Sequence, residues 1–189
     1  MSEIYSKDLE INDNVSIEIE NLIVKVKGPN ATLEKDFNHA RQIEIVNEKG
    51  IVTVKANNSK KKSKSIVGTV SSHIDNMIKG SLADFKVIQK IVYAHFPFTV
   101  RVEDNLVFIE NFLGERSPRK SKIIGDETKV EISGDDVITY GPDIENVTQT
   151  AANITLATKI KNKDPRIFQD GVYKYKVLYN DEVIWELKL

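Results

Sequence analysis

Lysine and arginine side chains form two dense groups in the second half of the chain, and the chemistry open to them is the binding of phosphate. Residues 116–122 contain four cations and no acid, and residues 159–176 contain six cations and two acids. Cationic side chains neutralise the phosphates of a nucleic-acid backbone, so both segments are candidate binding segments. The residues predicted to make such contacts are Arg116, Arg119, Lys120, Lys122, Lys159, Lys161, Asn162, Lys163, Arg166 and Lys174.

Each basic segment also has an interpretation without a ligand. Residues 116–120 form a proline-containing basic loop, which fits a mobile charged loop as well as a phosphate clamp on a hairpin arm. Residues 163–173 fit a solvated helix end with a tight turn. Within the latter we expect Phe168 to fill the core and Asp170 to fix the turn. A third cluster, Lys60–Lys64, begins a predicted helix, where cations oppose the helix dipole unless an anion is bound. The sequence leaves the role of this cluster open.

The overall charge argues against a uniformly basic nucleic-acid binder. The chain has 189 residues, with 27 lysines and arginines against 28 acids, which leaves a net charge of −1. The distribution is polarised, however, because acids are frequent in residues 3–20 while the cations cluster toward the C-terminal half. Local concentration of charge matters more for binding than the sum does. The hydrophobic content of 40% is that of an ordinary globular protein.

Catalytic and metal-binding constellations are missing from the sequence. The three histidines, His39, His73 and His95, have no ligand-like spacing, and cysteine is absent. Ser71-Ser72-His73 suggests a nucleophile, but adjacent residues of a helix do not face each other. We therefore predict a protein that is not an enzyme and has no cofactor or metal. Without a signal peptide, a cysteine or an apolar run of about 20 residues, we expect a cytoplasmic protein with no membrane partner.

An internal repeat indicates which elements position the basic segments. Residues 15–28 and 98–111 each alternate apolar and polar residues across an acidic-Asn turn, which predicts a β-hairpin. Residues 42–54 and 129–140 form a second matched pair of hairpins with a glycine turn. The chain thus contains one small unit twice, as duplicated folds do.

A helix and a returning strand complete each predicted unit. The helices cover about Lys60–Ile78, ended by Gly80, and about Ile144–Lys161, begun by Asp143 as the N-cap. A strand follows each helix, at 85–96 and at 171–179. We predict an α+β fold with two tandem copies, residues 1–96 and 97–189, each an antiparallel-rich sheet packed on one helix. The second copy would carry the main binding surface.

Two segments give the sequence its specific resemblance. The first is Asn111-Phe112-Leu113-Gly114-Glu115-Arg116-Ser117-Pro118-Arg119. The second is Lys163-Asp164-Pro165-Arg166 followed by Phe168, Asp170-Gly171-Val172 and Tyr173. Together they resemble the universal large-subunit ribosomal protein L6 family in its archaeal and eukaryotic branch, over about residues 15–173. That family is also an internal duplication of a small α/β unit.

The resemblance implies a function without chemistry. It implies a structural constituent of the large ribosomal subunit that binds its RNA near the sarcin–ricin loop and the factor-binding region. Neighbouring ribosomal proteins and nearby translation factors would be the other partners, and the C-terminal unit would make most RNA contacts. A non-ribosomal protein-interaction module, binding through an exposed sheet edge, is the alternative that the near-neutral charge favours. Residues 179–189 match no motif, and an archaeal source is favoured over a eukaryotic one.

Overall fold

The computed structural model describes residues 5–48, 50–58, 60–164 and 166–188. Pro165 of the second sequence motif lies outside this part. The elements, in chain order, are β1 Ser6–Glu10, β2 Ser16–Glu20, β3 Ile23–Lys27, β4 Thr32–Asp36, β5 Ile43–Glu48, β6 Ile51–Ala56, α1 Lys61–Leu82, β7 Phe85–Val92, β8 Thr99–Glu103, β9 Leu106–Glu110, a 3-10 turn Phe112–Gly114, β10 Arg119–Lys122, β11 Lys129–Ser133, β12 Asp136–Gly141, α2 Ile144–Ala157, β13 Gly171–Tyr179 and β14 Glu182–Glu186.

The chain divides into two compact units, and the boundary lies between Ala83 and Asp84. The sequence pattern predicts a boundary near residue 96, with the strand after α1 closing the first unit. In the structure that strand, β7, pairs with β12 and β13 of the second unit. Alternating apolar residues reveal that a segment is a strand, but they do not identify its partners. This difference moves residues 84–96 into the second unit.

The first unit contains two three-stranded antiparallel sheets and helix α1. One sheet has the order β1-β6-β5 and the other has the order β2-β3-β4. The inward residues of these strands and the apolar face of α1 form a single core that includes Val24, Val52, Val67 and Ile74. Gly28, which directly follows β3, lies against the last turn of α1, because a Cβ there would lie 2.3 Å from the Ser81 carbonyl oxygen.

The second unit also contains two antiparallel sheets, ordered β10-β9-β8 and β11-β12-β7-β13-β14. Strand β7 lies at the centre of the five-stranded sheet, and its inward residues Phe85, Val87, Gln89 and Ile91 are buried. The Gln89 amide donates to the Ala151 carbonyl of α2 at 3.0 Å, which ties the helix to the sheet. Asp143 caps α2 by accepting a hydrogen bond from the Glu145 amide at 2.9 Å.

The predicted α+β class and duplication are confirmed, as are all four predicted hairpins. Each unit has two sheets instead of one, because its two hairpins lie in separate sheets; β4 and β10 add a third strand to the first hairpin of each repeat. The prediction that Gly80 ends the first helix is wrong. Gly80 is buried inside α1, which continues to Leu82 and ends at Ala83 in an extended conformation. The second helix ends at Ala157, four residues before its predicted end.

Candidate RNA-binding surface

Arg119 joins the two basic segments of the second unit. It begins β10, and its guanidinium donates to the carbonyl oxygens of Ala157 and Lys159 at 2.9 and 3.1 Å. The Ala157 carbonyl belongs to the last turn of α2, where intrahelical donors are missing, and Lys159 follows two residues later. Strand β10 thereby lies beside the start of the segment that follows the helix. The sequence placed Arg119 in a loop and among the RNA contacts, whereas the structure uses most of its donors internally.

The remaining bonds of Arg119 hold the turn before β10. Its Nη2 and Nε atoms donate to the two carboxylate oxygens of Glu115 at 2.5 and 2.8 Å. These hydrogen bonds lower the pKa of Glu115, against the opposing effect of burial. The guanidinium carbon also lies 4.4 Å from the centre of the Phe112 ring. The first sequence motif is therefore a folded turn closed by Arg119, which leaves Arg116 exposed at its tip.

Lys120 and Lys122 lie on the outer face of β10, where both are exposed. Lys120 sits opposite Phe108 of β9, with its ammonium 5.3 Å from the ring centre. Arg101 of β8 approaches the same ring at 4.8 Å, but its charge is balanced by Glu103 and Glu110. Within the described part of the chain, neither Lys120 nor Lys122 has an acidic partner. Their charges therefore remain available to an anion.

Residues 159–170, here called the basic loop, connect α2 to β13. The Thr158 hydroxyl accepts a hydrogen bond from the Val172 amide at 3.1 Å, so the two ends of the loop are joined. Lys159, Lys161, Lys163 and Arg166 are all exposed, and no acid pairs with them among the residues that the structure describes. Asp164 instead accepts from the amide of Arg166 at 2.9 Å. The loop therefore presents an uncompensated positive charge.

Asp170 anchors the C-terminal end of the basic loop. Its side chain is fully buried, and it accepts hydrogen bonds from the amides of Ala94 and His95. Burial alone would raise the pKa of Asp170, but these hydrogen bonds and the nearby His95 ring outweigh that effect, and the pKa is lowered. From the sequence, we expect Asp170 to stabilise a turn and not to contact RNA. This geometry fits that expectation, although the segment that Asp170 stabilises is residues 94–95.

The structure brings together most, but not all, of the predicted contact residues. Lys174 lies on β13, opposite Gln89, with its ammonium 4.7 Å from the centre of the Trp185 ring. It is therefore part of the sheet next to β14 and not of the basic loop. Asn162 lies in the loop with a left-handed φ of 59°, which an asparagine tolerates better than most residues. The predicted contact residues therefore form two groups, one at β10 and one on the basic loop.

Two residues of this region, Phe112 and His95, have contacts that the sequence patterns do not predict. Phe112 is buried and carries Arg119 on its ring. His95 bonds to Asp170 and stacks on Phe168 with ring centres 4.6 Å apart. The sequence assigned no role to His95 because an isolated histidine has no periodicity or motif. Phe168 is half-buried by this stack, so the expectation of a core position is met only in part.

The Lys60–Lys64 cluster lies in the first unit. Lys61, Lys62 and Lys64 are exposed in the first turns of α1, which has no acidic residue in its first turn. The ammonium of Lys64 lies 4.6 Å from the centre of the Tyr5 ring. This geometry supplies no acidic partner for the cluster within the described residues, and an anionic ligand stays one of the two alternatives that the sequence leaves open for it.

The described residues contain neither a candidate metal-ion cluster nor a helix that could cross a membrane. No group of three or more histidine, aspartate or glutamate side chains is arranged to hold a metal ion there. The Ser72 hydroxyl donates to the Gly68 carbonyl of its own helix at 2.9 Å, and does not face His73. No helix in the described part of the chain is long and apolar enough to cross a membrane.

Comparison with known proteins identifies the family. The family model described as ribosomal protein L6 matches residues 11–81 and 96–171. The chain is 49% identical to the large ribosomal subunit protein uL6 of Staphylothermus marinus, covering 89% of this chain and 92% of that protein. It is 52% identical to uL6 of Methanosphaera stadtmanae, covering 87% and 89%. For uL6 of Aeropyrum pernix the identity is 45%, covering 89% and 92%. The chain therefore belongs to the ribosomal protein L6 family.

Proposed function

We propose that this chain is a structural constituent of the large ribosomal subunit and binds the RNA of that subunit through its second unit. The family is structural and not enzymatic, and its place is the cytoplasmic ribosome. Large-subunit RNA and neighbouring ribosomal proteins are accordingly its partners. The finer proposal concerns the surface that binds, which consists of the basic loop together with Arg116, Lys120 and Lys122.

The observation that carries the proposal is the charge of the basic loop. Four cations stand exposed on twelve residues, and the two acids of the loop are engaged by its own backbone or by residues 94–95. Arg119 holds the start of this loop beside β10, which adds further cations. Binding to RNA phosphates is largely electrostatic and is favoured where several cations lie close together. Arg119 itself is left out of the proposed contacts because its guanidinium is engaged internally.

The location on the RNA is the finest part of the proposal. We place the second unit near the sarcin–ricin loop, at the base of the region where translation factors bind. Membership of the family supports this placement. Chemical probing of large subunits assembled with and without this chain tests it. Protection of nucleotides at and around the sarcin–ricin loop is expected only when the chain is present, and protection confined to distant helices would contradict the placement.

A triple substitution in the basic loop tests the contact surface. Lys161→Glu, Lys163→Glu and Arg166→Glu together should prevent incorporation into large subunits while the isolated protein stays folded. The matched control reverses three exposed lysines that lie elsewhere, Lys7, Lys55 and Lys129, and changes the net charge by the same amount. Incorporation is measured by immunodetection across a sucrose gradient. Normal incorporation of the loop variant would refute this assignment of contacts.

The salt dependence of binding gives a second measurement on a large-subunit RNA fragment. Each phosphate contact contributes a slope of about −0.7 to −0.9 to the logarithmic salt dependence. Loss of three contacts should therefore flatten the slope by roughly 2 to 3, whereas the control variant should keep the slope of the wild type. The gradient also tests the non-ribosomal alternative, since free sedimentation of the wild-type protein in low and moderate salt would favour it.

A further inference from the structure

His95 contacts the basic loop through both its ring and its backbone. The ring lies against Phe168, with centres 4.6 Å apart and planes 25° from parallel. Its Nδ1 atom lies 3.2 Å from one carboxylate oxygen of Asp170, and its backbone amide donates to the other oxygen at 3.3 Å. On the loop side, the ammonium of Lys163 lies 4.6 Å from the centre of the Phe168 ring. Lys163, Phe168, His95 and Asp170 thus form a continuous chain of contacts.

The partner of the His95 ring fixes its protonation pattern. Burial raises the pKa of Asp170, but the hydrogen bonds to its carboxylate lower this pKa by more. The carboxyl group is therefore ionised at neutral pH and can only accept hydrogen bonds. The proton at Nδ1 must therefore belong to His95. A fully buried carboxylate that loses a donor is costly, so Asp170 holds His95 in place. His95 in turn presents its ring face to Phe168.

The hydrogen bonds of residues 164–169 are local. The amides of Ile167 and Phe168 donate to the Asp164 carbonyl, and the Gln169 side chain donates to the Arg166 carbonyl. All of these bonds lie within the loop. The start of the loop is held by Arg119, and its end by Asp170. His95 lies outside the loop, stacks on Phe168 and, through that ring, is connected to Lys163.

We propose that His95 is a positioning residue, which holds the basic loop in the arrangement that binds RNA. This inference rests on the proposed function and adds to it a residue that carries none of the binding charge itself. A loop that is ordered before binding loses less conformational freedom when the complex forms. Removing the His95 contacts should therefore weaken RNA binding without removing any cation from the surface.

Two measurements on His95→Ala separate the steps of the inference. Amide hydrogen exchange in the free protein should accelerate in residues 160–169, while the amides of β7 and β13 stay protected. Affinity for the large-subunit RNA fragment should fall by about tenfold, an effect of preorganisation, with the salt slope unchanged since every cation remains. His95→Phe keeps the ring against Phe168 and should recover part of the affinity. His39→Ala, the same change at an exposed position of the first unit, is the matched control and should alter neither quantity.

Phe168→Leu removes the same stack from the loop side and keeps the His95–Asp170 contact, so it should reproduce the faster exchange. Unchanged loop exchange in both His95→Ala and Phe168→Leu would overturn the positioning role alone. Faster exchange with unchanged RNA affinity would overturn it as well, because order in the loop would then be irrelevant to binding. Absence of RNA binding by the wild-type protein would instead overturn the proposed function.

Discussion

Replacing Arg119 by alanine should destabilise the second unit and leave the exposed cations of the surface in place. The substitution removes a bidentate pair with Glu115, two hydrogen bonds to carbonyls at the end of α2, and a cation over Phe112. The side chain is 24% exposed, so solvent screens part of each interaction. This position, more than any exposed lysine, therefore tests whether a cation in the motif is structural.

The magnitude follows from the three kinds of contact. A screened ion pair contributes about 0.5 kcal/mol, and a cation over an aromatic ring about 0.5 kcal/mol at a partly exposed site. The hydrogen bonds from a charged donor to helix-end carbonyls add roughly 1 to 2 kcal/mol after screening. The expected loss is about 2 to 3 kcal/mol, which lowers the melting temperature of a unit of about 100 residues by roughly 10 °C or more.

Thermal and urea unfolding of the wild type, Arg119→Ala and Arg119→Lys measure this loss. Lysine keeps the charge but not the fork of donors, so it should recover less than half of the stability. Lys120→Ala is the matched control. Lys120 follows Arg119 on β10 and is exposed, so its replacement should change the free energy of unfolding by under about 0.5 kcal/mol. In Arg119→Ala the pKa of Glu115 should also rise toward its ordinary value, because the hydrogen bonds that lower this pKa in the wild type are lost. A stability change in Arg119→Ala as small as that of the control would refute the structural role.

Three further predictions concern other parts of the fold. Gly28→Ala should destabilise the first unit by about 1 to 3 kcal/mol, because its Cβ would lie 2.3 Å from the Ser81 carbonyl oxygen; an unchanged urea midpoint would contradict this. Asp143→Ala should cost about 1 kcal/mol through loss of the bond from the Glu145 amide, and Asp143→Ser should restore most of it in the same unfolding assay. Because the pKa of Asp170 is lowered in the folded state, its contribution to stability is complete above the unfolded-state pKa of about 4 and is lost as the pH falls through the folded-state value. Urea unfolding at pH 5 and pH 3 should therefore show a smaller decline for Asp170→Asn than for the wild type, and equal declines would count against this assignment.

The local elements could be predicted from the sequence because their signals are local. Alternation of apolar residues gave the four hairpins, and three-to-four spacing gave both helices, since each pattern needs only a neighbouring segment to bury one face. Asp143 was identified as a cap for the same reason. The prediction at Gly80 failed because a glycine that ends a helix in this way adopts a left-handed conformation, whereas Gly80 is buried within α1 and has no positive φ.

The sequence by itself determined the repeat, the fold class, the family resemblance and the location of the cations. The tertiary structure decided which cations are free. Arg119 bonds to carbonyls 38 and 40 residues away, and His95 bonds to a carboxylate 75 residues away. Strand β7 likewise pairs with β12 and β13, which are formed by residues far along the chain. Contacts over such separations form only when the whole unit has closed, and no local periodicity records them.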